Sequence, residues 1–129
     1  MEDVVIVDAA RSPVGRKNGS LGGAHPTDVL GQVMTGLLAR NDIDSSTVDQ
    51  VVGGCINKLA AQGMNVTRTA WLASGGAIET PCITIDSQCG SSQQAIHFAA
   101  QAGVRYSIEN PNSEILINTQ RRLNRDLSD

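Results

Sequence analysis

Residues 82–95 read CITIDSQCGSSQQA and combine three patterns in one short stretch. The apolar run at 82–85 predicts a buried strand, and the Ala- and Gln-rich run after residue 90 predicts a helix. Cys89 lies where the strand gives way to the helix, with Gly90 behind it and two serines in the first turn. Amide groups at a helix N-terminus carry partial positive charge, which favours the thiolate form of a cysteine. The pattern therefore predicts a reactive thiol at Cys89.

A buried, inert thiol is the alternative interpretation of Cys89, because a free cysteine often behaves as a small hydrophobic residue. Its neighbours favour reactivity, since Gln88, Gly90 and Ser91 stand where a core thiol would have Val and Leu. Gly90 also allows a sharp turn and the close approach of another molecule. Geometry alone leaves both interpretations open.

The composition bounds the class of protein. The 129 residues suffice for one domain, and a net charge of −3 without a basic stripe gives no indication of nucleic acid binding. The longest apolar run is far too short to span a membrane. Three cysteines without metal-like spacing indicate free thiols in a reducing compartment and predict no metal site. The acidic start without a secretory signal predicts a cytoplasmic location.

Strands and helices alternate along the chain. Strands are predicted at 4–7, 48–56 and 82–85, and helices at 26–40, at 65–74 and after Cys89. This order predicts an α/β fold with a parallel sheet covered on both faces. Gly53 and Gly54 within the second strand predict a bend or a close backbone approach. Asn65 is expected to cap a helix, and Trp71 and Leu72 to pack inward. Cys55 is expected to be an inert core residue.

The glycine-rich loop at 8–25 invites a nucleotide-binding interpretation. Its glycine spacing fits neither of the common phosphate-binding motifs, so the loop predicts no phosphate site.

Residues 86–95 resemble the nucleophile motif of the thiolases, which make or cleave 3-oxoacyl-CoA thioesters. Residues 5–15 are similar to the N-terminal strand and turn of that family, and residues 51–56 and 65–72 match further family positions in the same order. The resemblance covers about residues 3–103. It implies a three-layer α/β/α thiolase-like N-terminal domain with an incomplete mixed sheet.

The chain departs from the family pattern after Gly103. We expect residues 1–103 to form the partial thiolase-like domain and residues 104–129 a divergent tail, with a fourth strand near 114–118. Residues 120–129 fit either a short polar helix or a disordered end. No fifth strand is visible, so the sheet would have an unpaired edge and an uncovered apolar face, which favours association.

The resemblance also implies the chemistry. In thiolases the cysteine at the position of Cys89 attacks an acyl carbon and becomes an S-acyl enzyme, and its backbone N–H contributes to an oxyanion site. A histidine, a second cysteine and an asparagine from the second half of the family's chain complete the site. Cys89 is therefore the one catalytic residue that carries over, with acyl-CoA and CoA as substrates, no bound cofactor, and no assigned CoA contacts.

Neither histidine of the chain is expected to act as the base. His97 lies eight residues beyond Cys89 on the same predicted helix, about 12 Å along its axis, whereas a general base must approach to roughly 3 Å. His25 lies in a loop and is expected to anchor it. We therefore expect an acyl-CoA C-acyltransferase in truncated form, with little activity alone.

Two other functions remain open. A non-catalytic interaction module would pair with itself as a homodimer or with a full-length thiolase chain. A ketoacyl synthase-like condensing enzyme would also use a cysteine at a helix start, but residues 88–95 match the thiolase pattern better.

Overall fold

The computed structural model describes residues 4–109 and 114–119. The α-helices and strands it describes are α1 (Pro26–Arg40), β1 (Val48–Gly54), α2 (Val66–Ala73), β2 (Cys82–Ile85), α3 (Ser91–Glu109) and β3 (Glu114–Thr119). Two short 3-10 helices, Ser45–Thr47 and Ala60–Gln62, lie in the connections before β1 and after it.

The three described strands form a parallel sheet in the order β2-β1-β3. Val51 is paired with Cys82 on one side of β1 and with Leu116 on the other. Parallel pairing places the carboxyl ends of all three strands at the same edge, where the connection from β2 to α3 begins. The α/β fold with a parallel sheet expected from the alternating elements is confirmed, and the described strands include no antiparallel pair of the mixed sheet that the resemblance implies.

The helices cover both faces of the sheet, as the sequence predicts. On one face α1 and α2 bury Met34 and Trp71 against Val51. On the other face Ala95 and Ala99 of α3 are buried against Val52. Consecutive strand residues point to opposite faces, so Val51 and Val52 supply one side chain to each core.

Gly53 and Gly54 allow two helices to approach the strand closely. A Cβ atom at Gly53 would come within 2.2 Å of Thr67 Oγ1 in the first turn of α2, and a Cβ atom at Gly54 would come within 2.5 Å of the Ser91 carbonyl carbon. Of the two expectations for this pair, the structure has the close approach. The glycines bring the start of α3 directly against β1.

Helix α1 begins and ends where its sequence indicates. Pro26 occupies the first turn, where its missing N–H costs nothing, and Asp28 and Arg40 complement the two ends of the helix dipole. His25 precedes it and accepts a hydrogen bond from the Thr27 amide at Nδ1, with 3.3 Å between the two nitrogens. His25 thus anchors its loop by capping α1, as expected for a structural role.

The strand predicted at residues 4–7 is wrong. This segment pairs with none of the described strands, and the side chains of Val5, Ile6 and Val7 are 71%, 80% and 78% exposed. A β-branched run becomes a strand only when a free strand edge lies beside it, which local sequence cannot report. The segment is instead tied to the end of α1, where Asp8 Oδ2 accepts hydrogen bonds from Arg40 Nε (2.8 Å) and Asn41 Nδ2 (2.7 Å).

The inward packing predicted for Leu72 is also wrong. Trp71 is buried, but Leu72 is 40% exposed because it follows Trp71 by one position on a short helix with a single covered face.

The expected boundary at Gly103 stays a prediction. Helix α3 continues through this position to Glu109, and β3 covers the stretch where a fourth strand is predicted. The expectation for residues 120–129 lies outside the described residues.

Candidate active site

The connection from β2 to α3 is a tight turn held by backbone hydrogen bonds. The Gly90 amide donates to the Ser87 carbonyl and the Ser91 amide donates to the Gln88 carbonyl, both at 3.0 Å. Gln88 has a φ of 51°, in the left-handed region that residues other than glycine rarely adopt. Cys89 therefore follows a residue whose backbone conformation must be enforced by its surroundings.

Ser91 contributes its side chain to the same turn. Its Oγ accepts a hydrogen bond from the Ser87 amide at 2.9 Å and donates one to the Gln88 carbonyl at 2.7 Å. Ser91 is only 2% exposed, so water does not compete strongly for these bonds. Asp86 adds a further constraint, because its Oδ1 accepts from the Gln88 amide at 3.1 Å.

Cys89 is exposed, as a thiol that meets a second molecule must be. The amides of Ser87, Gln88, Gly90 and Ser91 all donate hydrogen bonds within or next to the turn. Cys89 also forms an isolated β-bridge with Ser87 across the turn. The turn thus exposes the thiol of Cys89 at its surface.

The other two cysteines are in different environments. Cys55 is buried, and its Sγ donates to the Asn57 carbonyl at 3.6 Å, while burial raises the pKa of its thiol. Cys82 is partly buried, and burial raises the pKa of its thiol too, with Arg68 opposing that shift. Both thiols therefore stay neutral to a higher pH than an ordinary cysteine, in agreement with the inert core predicted for Cys55.

The structure brings neither histidine to Cys89. His97 is on α3, six residues after Ser91 and therefore about 9 Å further along the helix axis. His25 caps α1, which covers the opposite face of the sheet from α3. Within the described residues, no histidine is therefore positioned to take the Cys89 proton.

Strand β2, which leads into the turn, is held from the start of α2. Asn65 caps α2 by accepting from the Arg68 amide at 3.1 Å, and its Nδ2 donates to the Cys82 carbonyl at 2.8 Å. The Thr84 hydroxyl lies 2.7 Å from Asn65 Oδ1 and 2.8 Å from Thr67 Oγ1. The sequence indicates the cap at Asn65, but its bond to β2 depends on a contact between residues 17 positions apart.

Sequence reasoning also missed the role of Ser91. A serine in the first turn of a helix is a usable signal for side-chain bonds to nearby backbone. The Ser91 hydroxyl joins the Ser87 amide to the Gln88 carbonyl because Ser91 is buried against β1. The sequence alone does not predict that burial.

The described residues contain no cluster of three or more His, Cys, Asp or Glu side chains arranged for a metal ion. None of the described helices combines the length and the apolar character needed to cross a bilayer.

The fold and the turn together define a class: an α/β domain that presents an exposed cysteine between a parallel strand and the helix that follows. The family model described as "Thiolase, N-terminal domain" matches residues 4–117. The chain belongs to this thiolase family.

Individual relatives agree with this assignment. The chain is 47% identical over 102 residues to the steroid 3-ketoacyl-CoA thiolase FadA6 of Mycobacterium tuberculosis, covering 79% of this chain and 25% of the relative. It is 40% identical over 104 residues to a 3-ketoacyl-CoA thiolase of Vibrio vulnificus, covering 79% of this chain and 27% of the relative. The acetyl-CoA acetyltransferase of Bacillus anthracis is a similar solved structure, with a TM-score of 0.68 and 32% identity over 84% of this chain and 26% of that one.

These matches leave most of each relative uncovered. The chain spans about a quarter of the length of the curated relatives it matches.

Proposed function

We propose that this chain carries the nucleophile of a thiolase-type acyl-CoA acyltransferase, and that Cys89 forms an S-acyl intermediate with a coenzyme A thioester. The observation that supports this most directly is the turn itself. It exposes the thiol of Cys89 next to the backbone N–H of the same residue. A thiol and an adjacent donor are the groups that attack on a thioester carbonyl requires.

The proposed step exchanges one thioester for another. The Cys89 sulfur, after losing its proton to a base or to solvent, attacks the acyl carbonyl carbon, and negative charge develops on the carbonyl oxygen next to the Cys89 N–H. The carbon–sulfur bond to coenzyme A then breaks. The coenzyme A thiolate leaves and takes up a proton, while the acyl group stays on Cys89.

Turnover needs groups beyond those at this turn. The resemblance assigns the base and the second cysteine to the other half of the thiolase chain, and no described histidine is close to Cys89. For the 129-residue chain by itself we therefore expect a single acylation with little or no turnover. The chain supplies nucleophile and part of the oxyanion site, and needs no bound cofactor for this step.

Intact mass spectrometry tests the proposal. The chain is incubated with acetyl-CoA or acetoacetyl-CoA, and the acylated residue is located by peptide mapping. We expect one acyl group, on Cys89, and none after Cys89→Ser. Cys82→Ser is the matched control and should leave the adduct in place, because Cys82 is partly buried and its thiol has a raised pKa. Adducts spread equally over all three cysteines would show that Cys89 is not a privileged nucleophile.

An interaction module is the second candidate, because the described structure exposes apolar surface. Val5, Ile6 and Val7 are largely exposed, and β2 has only one strand partner in the described sheet. Exposed apolar segments and open strand edges favour association with another chain. This alternative predicts a homodimer or a complex with a full-length thiolase chain. Sedimentation that finds a folded monomer, both alone and mixed with a full-length thiolase, would exclude it.

A further inference from the structure

We propose that Ser91 is a positioning residue for the acylation step, because its buried hydroxyl orients the backbone N–H of Cys89. This inference rests on the function proposed for Cys89. The hydrogen bonds that the Ser91 side chain forms in the described structure go to Ser87 and Gln88, so Ser91 acts through the peptide unit that precedes Cys89.

One peptide unit connects the contacts of Ser91 with the direction of the Cys89 N–H. The Gln88 carbonyl and the Cys89 amide belong to the same peptide bond, which is planar and trans. In a trans peptide the C=O and the N–H point in opposite directions. Any interaction that fixes the direction of the Gln88 carbonyl therefore fixes the direction of the Cys89 N–H.

Ser91 fixes that carbonyl twice. Its amide donates to the Gln88 oxygen at 3.0 Å, and its hydroxyl donates to the same oxygen at 2.7 Å. The same Oγ accepts from the Ser87 amide at 2.9 Å, so the hydroxyl joins the two ends of the turn. With the carbonyl directed at Ser91, the Cys89 N–H is directed away from the start of α3.

The turn has a conformation that needs such support. A left-handed φ costs a residue with a Cβ atom about 1 kcal/mol or more, and it persists where the surrounding structure enforces it. Gln88 has a φ of 51° and is exposed, so packing of its own side chain does not enforce the turn. The hydroxyl of Ser91 is well placed to do so, since Ser91 is itself pressed against Gly54 of β1.

Two reactions at the same thiol separate orientation of the N–H from general access to Cys89. Acylation by acetyl-CoA develops negative charge on an oxygen that an N–H can stabilise. Alkylation by iodoacetamide proceeds by displacement at carbon and develops no such oxyanion. The ratio of the two rate constants at Cys89 therefore reports on the N–H, because a change in access to the thiol alters both rates together.

We expect Ser91→Ala to lower the ratio of acylation to alkylation by about tenfold or more, given that loss of a whole oxyanion donor costs roughly 10²–10³ in rate. Ser92→Ala is the matched control, one residue further along α3, and should leave the ratio within about twofold of the wild type. Ser91→Thr keeps a hydroxyl and should restore the ratio. Circular dichroism checks that each variant is folded.

The outcomes distinguish this inference from the proposed function. If the wild-type chain is not acylated at Cys89, the proposed function fails, and the role of Ser91 fails with it. Two results would overturn only the positioning role when the wild type is acylated. One is a ratio of acylation to alkylation in Ser91→Ala equal to that of the wild type, and the other is an equal fall of this ratio in Ser92→Ala. Should Ser91→Ala not fold, Ser91→Thr decides: a ratio as in the wild type supports the role of the hydroxyl, and a tenfold loss with the hydroxyl present overturns it.

Discussion

Gly54 at the end of β1 and Ser91 at the start of α3 are in direct backbone contact. The position that a Cβ atom of residue 54 would occupy lies 2.5 Å from the Ser91 carbonyl carbon and 2.5 Å from the Ser92 amide nitrogen. Neither of these atoms is the mobile end of a side chain. The first turn of α3, and with it the turn that carries Cys89, therefore depends on the absence of a side chain at position 54.

We expect Gly54→Ala to lower the free energy of unfolding by about 1–3 kcal/mol, because the new methyl group must displace the start of α3. Gly36→Ala is the control. Gly36 lies in α1 with no atom within 4 Å of a Cβ built there, so alanine should stabilise the helix by up to about 1 kcal/mol. Chemical denaturation followed by the fluorescence of the single, buried Trp71 measures both. Equal effects of the two substitutions would contradict the close contact.

Asn65 caps α2 and also donates a hydrogen bond to β2, and substitutions at this position should separate the two contributions to stability. Asn65→Ala removes the cap of α2 and the bond to the Cys82 carbonyl, which should lower the free energy of unfolding by about 1–3 kcal/mol. Asn65→Asp keeps an oxygen that can accept from the Arg68 amide but has no N–H for the Cys82 carbonyl. Denaturation curves should therefore place Asn65→Asp between wild type and alanine; an aspartate variant as stable as the wild type would show that the bond to β2 contributes nothing.

The buried thiol of Cys55 and the partly buried thiol of Cys82 should make the fold sensitive to alkaline pH. Burial raises the pKa of Cys55 and Cys82 above the ordinary value of 9.0, so the folded chain binds more protons than the unfolded chain at pH values just above 9. The stability that this gives is fully present below pH 9 and is lost as the pH rises through the folded-state pKa values.

Denaturation between pH 7 and pH 10.5 measures this loss. The free energy of unfolding should fall with pH more steeply in the wild type than in Cys55→Ala/Cys82→Ala, in which the two thiols are absent. Identical pH slopes in the two proteins would contradict the burial of these thiols.

The elements that could be predicted from the sequence are those set by local patterns. Pro26 and the apolar face of the following helix mark α1, and Asn65 marks α2, because capping and periodicity act within a few residues. The position of Cys89 between a strand and a helix could also be predicted, because an apolar run, a polar turn and a helical run follow one another directly in the sequence.

What the sequence could not provide depends on contacts between distant segments. Residues 4–7 have the composition of a strand but no described strand beside them, and Leu72 lies on the uncovered side of α2. The left-handed φ of Gln88 and the buried hydroxyl of Ser91 become visible only when α3 is seated on β1. A residue pattern specifies the thiol, but the packing of the sheet specifies the direction of the amide beside it.

The glycine pair at positions 53 and 54 leaves strand β1 without side chains next to the turn where acylation of Cys89 is expected. Thr67 of α2 meets one glycine and Ser91 of α3 meets the other, on opposite faces of the same strand. Only the main chain of β1 separates the first turns of these two helices. We therefore expect a displacement of the first turn of α2, far from Cys89 in the sequence, to reach the turn that holds the thiol through this single strand.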